Sequence, residues 1–148
     1  MCINKCVEKK LISHNPTNGI RLSQFDEVTK EILTLKEIQK LAVTSCPNNE
    51  VKRAFLFSCY CGLRWCDVYQ LRYKDVDFPA RRLTIIQQKV QTHSKSAILH
   101  LNLNHTALKL LQKCNGDRED LVFSLPSYSY TIRILRKWVI DANIRKHI

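Results

Sequence analysis

Apolar positions recur at helical spacing over most of this chain and switch to strict alternation in one stretch. Residues 3, 7 and 11 form one apolar stripe over residues 1–12, with lysines elsewhere, which predicts a short helix. Ser13-His14-Asn15-Pro16-Thr17-Asn18-Gly19 is turn chemistry throughout, and the mixed, charged run 20–32 reads as linker. One short helix cannot bury its own stripe, so this part reads as the end of a preceding domain or as an arm that docks on a partner. Thr34 followed by Glu37 is a capping box. It starts a helix to about Ser45 with Leu35, Ile38, Leu41 and Ala42 on one face. Cys46-Pro47-Asn48-Asn49 breaks that helix, and a second begins near Glu50. Apolar residues lie on every side of Ala54 to Tyr60, which predicts a helix packed all round. Gly62 is placed to end it in the left-handed conformation.

Beyond Arg64, Val68 and Leu71 share one face of a short helix from Trp65 to Leu71, and Arg72 to Pro79 leads out of it. Then the period becomes two. Leu83, Ile85, Gln87 and Lys89 alternate with Thr84, Ile86 and Gln88, and Ala97, Leu99 and Leu101 alternate with Ile98, His100 and Asn102. The polar link Val90 to Ser94 joins the two strands as a hairpin over about 82–102. Asn104 caps a helix to about Cys114 with Ala107, Leu108 and Leu111 inward. Leu121-Val122-Phe123 is a short apolar run. A last helix runs from Ser127 to about Ala142 with Ile132, Leu135, Val139 and Ala142 inward and Arg133, Arg136 and Lys137 on its other faces. The predicted class is α+β, mainly helical with a small antiparallel sheet.

Charge narrows the function. The 148 residues hold 24 Lys and Arg against 13 Asp and Glu, a net charge of +11. That excess favours polyanions, nucleic acid first and an acidic membrane surface second. No apolar run has the length to span a bilayer, and the first residues lack the apolar core of a signal peptide. A soluble, cytoplasmic protein with no membrane partner is expected. The seven cysteines are an odd number without a Cys-x-x-Cys pair, so they read as reduced core residues and not as a metal site. With three glycines the chain has no phosphate-cradling Gly-rich loop.

Three features have two readings each. Gly62-Leu63-Arg64 is either a helix end followed by a surface arginine pairing with Asp67, or an arginine pre-aimed at a phosphate through its rigid fork of donors. Lys89, with His93, Lys95 and His100, either discourages edge pairing as a solvated charge or forms a polyanion-facing hairpin tip. The basic face at Arg133, Arg136 and Lys137 is either solvated or phosphate-binding.

Taken in order, T-L-K-E-I-Q-K-L, then G-L-R-W-C-D-V, then the strand pair L-T-I-I-Q-Q-K and S-A-I-L-H-L-N, then S-Y-T-I-R-I-L-R-K-W resemble the catalytic domain of the tyrosine recombinases, also called phage-type integrases. The nearest likeness is to recombinases of Bacteroidetes mobile elements. The resemblance runs from about Thr34 to the end. Residues 1–33 resemble the last helix and linker of the family's DNA-gripping core-binding domain, so 34–148 is expected to be a partial catalytic domain. It implies that Arg64 grips oxygens of the scissile DNA phosphate and that Asp67 holds Arg64 and the helix junction in place. Lys89 would donate a proton to the departing 5′-hydroxyl. The implied partners are double-stranded DNA and further recombinase protomers, with no metal or cofactor.

The family continues into a His-x-x-Arg motif and a nucleophilic tyrosine, whereas this sequence reaches Lys146-His147-Ile148. Tyr128 and Tyr130 stand at the start of a helix that precedes the second arginine, so neither matches the nucleophile. The expectation is a truncated chain holding the first half of an active site and inactive in cleavage by itself. The alternative is a non-catalytic DNA-binding module, or a competitor of a full-length recombinase. If further helices normally cover the central apolar helix, Phe55, Leu56 and Phe57 should be open on one side.

Overall fold

The computed structural model describes residues 2–19, 31–86, 98–112 and 116–146. They belong to two units, residues 1–30 and 31–148.

In the first unit, α1 (Cys2–Glu8) is shorter than the apolar stripe predicts. Lys10 takes a positive φ of 55°, and Leu11 N–H donates back to the Cys6 carbonyl at 2.8 Å, closing the helix end. Leu11 is therefore thrown outward and is 71% exposed. The turn that follows is organised by Asn15, whose Oδ1 accepts from the Thr17 N–H and hydroxyl and whose amide donates to Asn4 Oδ1. The predicted linker falls almost entirely outside the described residues.

The second unit is built around α3 (Asn49–Cys61). Asn48 caps it by accepting from Val51 N–H at 3.1 Å. Two apolar clusters meet at this helix. Ala54 and Phe57 face Val68, Leu71, Val76, Leu83, Ala107 and Phe123. Val51 and Leu56 face Leu41, Ile134, Leu135 and Trp138. Helix α2 (Leu35–Val43) carries the capping box in full: Thr34 accepts from Glu37 N–H, and Glu37 accepts from Thr34 N–H. α2 stops at Val43 because Thr44 is extended, with its hydroxyl bonded to the Lys40 carbonyl. After α4 (Trp65–Tyr69) a 3-10 turn at Tyr73–Asp75 leads into β1 (Val76–Asp77). This strand pairs with β2 (Arg82–Ile86), which pairs with β3 (Ile98–Asn102). The sheet is antiparallel in the order β1-β2-β3. α5 (His105–Leu111) and α6 (Tyr128–Asp141) complete the unit.

Several expectations are corrected here. α3 is not packed all round, because Cys59 and Tyr60 in its last turn are exposed. Phe57 and Leu56 are not open: they are 0% and 5% exposed, closed in by the sheet side and by α6, and Phe55 is half-buried with its ring edge on Trp138. Leu35 leaves the predicted face of α2 and is 68% exposed, since at the first turn of the helix no neighbouring element covers it. On α6 the deepest residues include Thr131, Ile134 and Trp138, while Ile132 is only half-buried. None of the five described cysteines is fully buried in the core: Cys59 and Cys66 are exposed and Cys6, Cys46 and Cys61 are half-buried, all as free thiols. Burial pushes the Cys61 thiol up to about 11, which keeps it protonated. The sheet has one more strand than the sequence predicts. β1 spans only two residues, too short to show a period.

Candidate functional site

The Gly62 junction is built as its residue types require. Gly62 sits at φ 66°, its N–H donating to the Ser58 carbonyl at 2.9 Å. Ser58 Oγ donates to the Leu63 carbonyl at 2.8 Å, tying the turn back onto α3. Leu63 is buried on one side of Arg64, and Val68 is buried one turn later. Arg64 between them is exposed and serves as the extended N-cap of α4. Its carbonyl accepts from Asp67 N–H and Val68 N–H, so the backbone at Arg64 is held from both sides. Among the described residues its guanidinium makes no ion pair.

Asp67 lies three residues on but does not hold Arg64 through its side chain. It is 6% exposed, and its Oδ2 is shut off from solvent without a hydrogen-bond partner. The surface pairing offered by the plainer sequence reading is absent, because the carboxylate turns into the protein while the guanidinium faces out.

Lys89, His93 and Lys95 lie outside the described residues. His100 does not stand at a hairpin tip: it sits opposite Thr84 in the middle of the β2–β3 ladder, its Nδ1 3.0 Å from Thr84 Oγ1. On α6, Arg133, Arg136 and Lys137 are all exposed. Lys137 is joined to Asp141 at 3.1 Å, and the Arg133 guanidinium lies 5.0 Å over the Tyr130 ring. Tyr128 lines an open cleft with Trp65, Tyr69 and Gln70, so the start of α6 stands beside α4.

Sequence reasoning missed Arg53. Its guanidinium donates twice to the Leu110 carbonyl, pairs with Glu50, and lies 5.3 Å over the Phe123 ring. Arg53 thus locks α3 to α5 and to the apolar run before α6. Its position three residues after Glu50 was visible, but the distant carbonyl was not.

Among the described residues no group of three or more His, Cys, Asp or Glu side chains gathers to hold a metal ion. No helix among them is long and apolar enough to cross a membrane.

Comparison with known proteins agrees with this arrangement. The chain is 29% identical over 140 residues to a tyrosine recombinase of Pseudothermotoga lettingae, which covers 90% of this chain and 48% of the relative. The chain therefore spans about half the length of the curated relative it matches. Among solved structures, the integrase from mycobacterium phage Brujita superposes with a TM-score of 0.64 at 15% identity, covering 97% of this chain and 48% of that one. XerA recombinase superposes at 0.59, also at 15% identity, covering 86% and 47%. The mix of helices with a small three-stranded antiparallel sheet is thus the integrase and recombinase catalytic fold. The family model described as "Phage integrase family" matches residues 31–148, the whole of the second unit, and this chain belongs to that family.

Proposed function

We propose that this chain supplies the phosphate-gripping part of a tyrosine recombinase that cuts and rejoins double-stranded DNA. The observation that carries the reading is Arg64: an exposed guanidinium, unpaired among the described residues, on a backbone held by Gly62, Ser58 and the first turn of α4. A held backbone limits how far the chain must reorganise to bring the cation to the developing charge. In the proposed chemistry a tyrosine attacks the scissile phosphorus, the bond to the 5′-oxygen breaks, and a 3′-phosphotyrosyl link forms. Arg64 neutralises the non-bridging oxygens, and Lys89 gives the 5′-oxygen its proton. Asp67 supports the junction from below. Lys95, His93, Arg133, Arg136 and Lys137 are assigned to DNA contacts, and residues 1–33 to the end of a core-binding domain. The chemistry calls for neither metal nor nucleotide. Further protomers on the same DNA complete the exchange.

No residue among 1–148 is assigned as the nucleophile. Tyr128 and Tyr130 stand on the first turn of α6, and the ring of Tyr130 lies under Arg133.

Duplex binding measured at fixed salt tests the reading. Losing a charge-assisted, preformed phosphate contact in Arg64→Ala should cost about 1.5–3 kcal/mol. Arg136→Ala and Lys137→Ala should each cost less than about 1 kcal/mol. Equal losses for all three would mean that the chain holds DNA by charge alone. A nicked duplex that traps covalent intermediates should yield no adduct with this chain by itself. An adduct would place the nucleophile among its own tyrosines.

A further inference from the structure

Asp67 raises a question that the DNA reading leaves unanswered. Among the described residues, its Oδ2 is the one buried side-chain oxygen or nitrogen without a hydrogen-bond partner. Burying a carboxylate without a compensating donor is costly, and such groups are normally paired. Arg64 is not that partner. Beside Asp67 lies a cavity of about 180 Å³ between α4 and the outer end of β2, lined by Cys66, Asp67, Gln70 and Asp75 together with the apolar Leu71, Ile85 and Ile86. Asp75 brings a second carboxylate, with one oxygen already accepting from Arg72 N–H at 3.0 Å.

The chemistry of this lining selects its ligand. Two carboxylates around one narrow space favour a cation. The described residues gather no set of three metal-ligating side chains, which speaks against a divalent ion. A compact ammonium can reach both Asp67 and Asp75 in a narrow space, whereas a guanidinium is a wider planar fork. The wall of Leu71, Ile85 and Ile86 matches the methylene stem behind a lysine ammonium.

We propose that this cavity receives one lysine ammonium, with Asp67 as its counter-ion. The pair would tie α4 to the end of β2 and so fix, from behind, the helix that carries Arg64 at its N-cap. This last consequence rests on the proposed role of Arg64; the cavity and its ligand do not.

The test uses the full chain without DNA, so its outcome is independent of any result with Arg64 and duplex. In a sample labelled with ¹⁵N-lysine, a paired and shielded ammonium exchanges slowly enough to be seen. One such signal should vanish in Asp67→Asn, while that of Lys146, half-buried against Glu37, persists. A signal unchanged on dilution assigns the lysine to the same chain, and one lost on dilution assigns it to a second copy. Because Asp67→Asn can fail to fold, the unmutated chain is also treated with a carbodiimide, which condenses a touching carboxylate and ammonium to an amide with loss of water. An Asp67–lysine cross-linked peptide supports the proposal on its own. If neither an Asp67-dependent ammonium signal nor an Asp67 cross-link is found, the proposal is overturned.

Discussion

The Gly62 junction and the basic face of α6 both present arginine to solvent, yet they differ in how the charge is held. At the junction, Arg64 stands on backbone clamped between buried Leu63 and Val68, and its guanidinium is left without an ion pair among the described residues. On α6, Lys137 is tied to Asp141 and Arg133 lies over Tyr130. Two of the α6 cations are thus satisfied by partners on their own helix, as on solvated faces. An unpaired cation on a held backbone is the better anion receptor, because it breaks no existing pair on binding.

The difference can be broken most forcefully from beneath the junction. Phe57 is fully buried in the cluster that supports Leu63 and Val68, with its ring 5.5 Å from Phe123. Phe57→Ala should cost about 3–5 kcal/mol of stability, read by urea denaturation. A cost under about 1 kcal/mol would mean that the junction does not depend on this core. Next in size is Gly62→Ala. Nothing lies within 4 Å of a Cβ added at Gly62, so the cost is that of the left-handed backbone alone, about 1–2 kcal/mol. The same measurement should show that loss together with weakened duplex binding, since the turn aims Arg64. Lys137→Ala sharpens the other side of the comparison. An exposed pair four residues apart contributes about 0.3–0.5 kcal/mol, and thermal unfolding should barely move.

The mildest test concerns a third charged contact, between Glu37 and Lys146 at 2.7 Å. The hydrogen bond from Lys146, followed by those from Thr34, holds the Glu37 carboxyl down at about 2. Its folded value lies below the unfolded one, about 4.3. The stabilisation is therefore fully present above that value and is lost as pH falls through about 2. Amide exchange at the first turn of α2 should accelerate over that acid window. In Glu37→Gln this acid dependence should disappear.

Much of the fold was legible because local chemistry decides it. Thr34 with Glu37, Gly62 and Asn104 each mark a helix end through a bond to a backbone group at most four residues away. The alternation of Leu83 and Ile85 with exposed neighbours in β2 is likewise a property of the strand itself. The candidate site was only half legible. The motif around Arg64 placed the guanidinium at the correct junction, but its spacing to Asp67 implied a pair that the fold does not make. Spacing of three within a helix brings side chains near each other only when both lie inside the helix, and Arg64 is its extended cap. The exposure of Leu35 and of Cys59 and Cys66 was misread for a related reason. Each depends on whether a neighbour happens to cover that side.

By itself, then, the sequence determined the order of the helices and of the β2–β3 pair, several of the caps that bound them, the net charge of +11 and the place of Arg64 at a glycine-ended helix. These follow from interactions over a few residues or from composition alone. Only the tertiary structure decided that α3 divides its apolar residues between two clusters and that Arg53 reaches a carbonyl 57 positions away. It alone turned Asp67 inward, beside a cavity it shares with Asp75. Those outcomes rest on contacts between segments far apart in the chain, and no local period or motif encodes which segments meet.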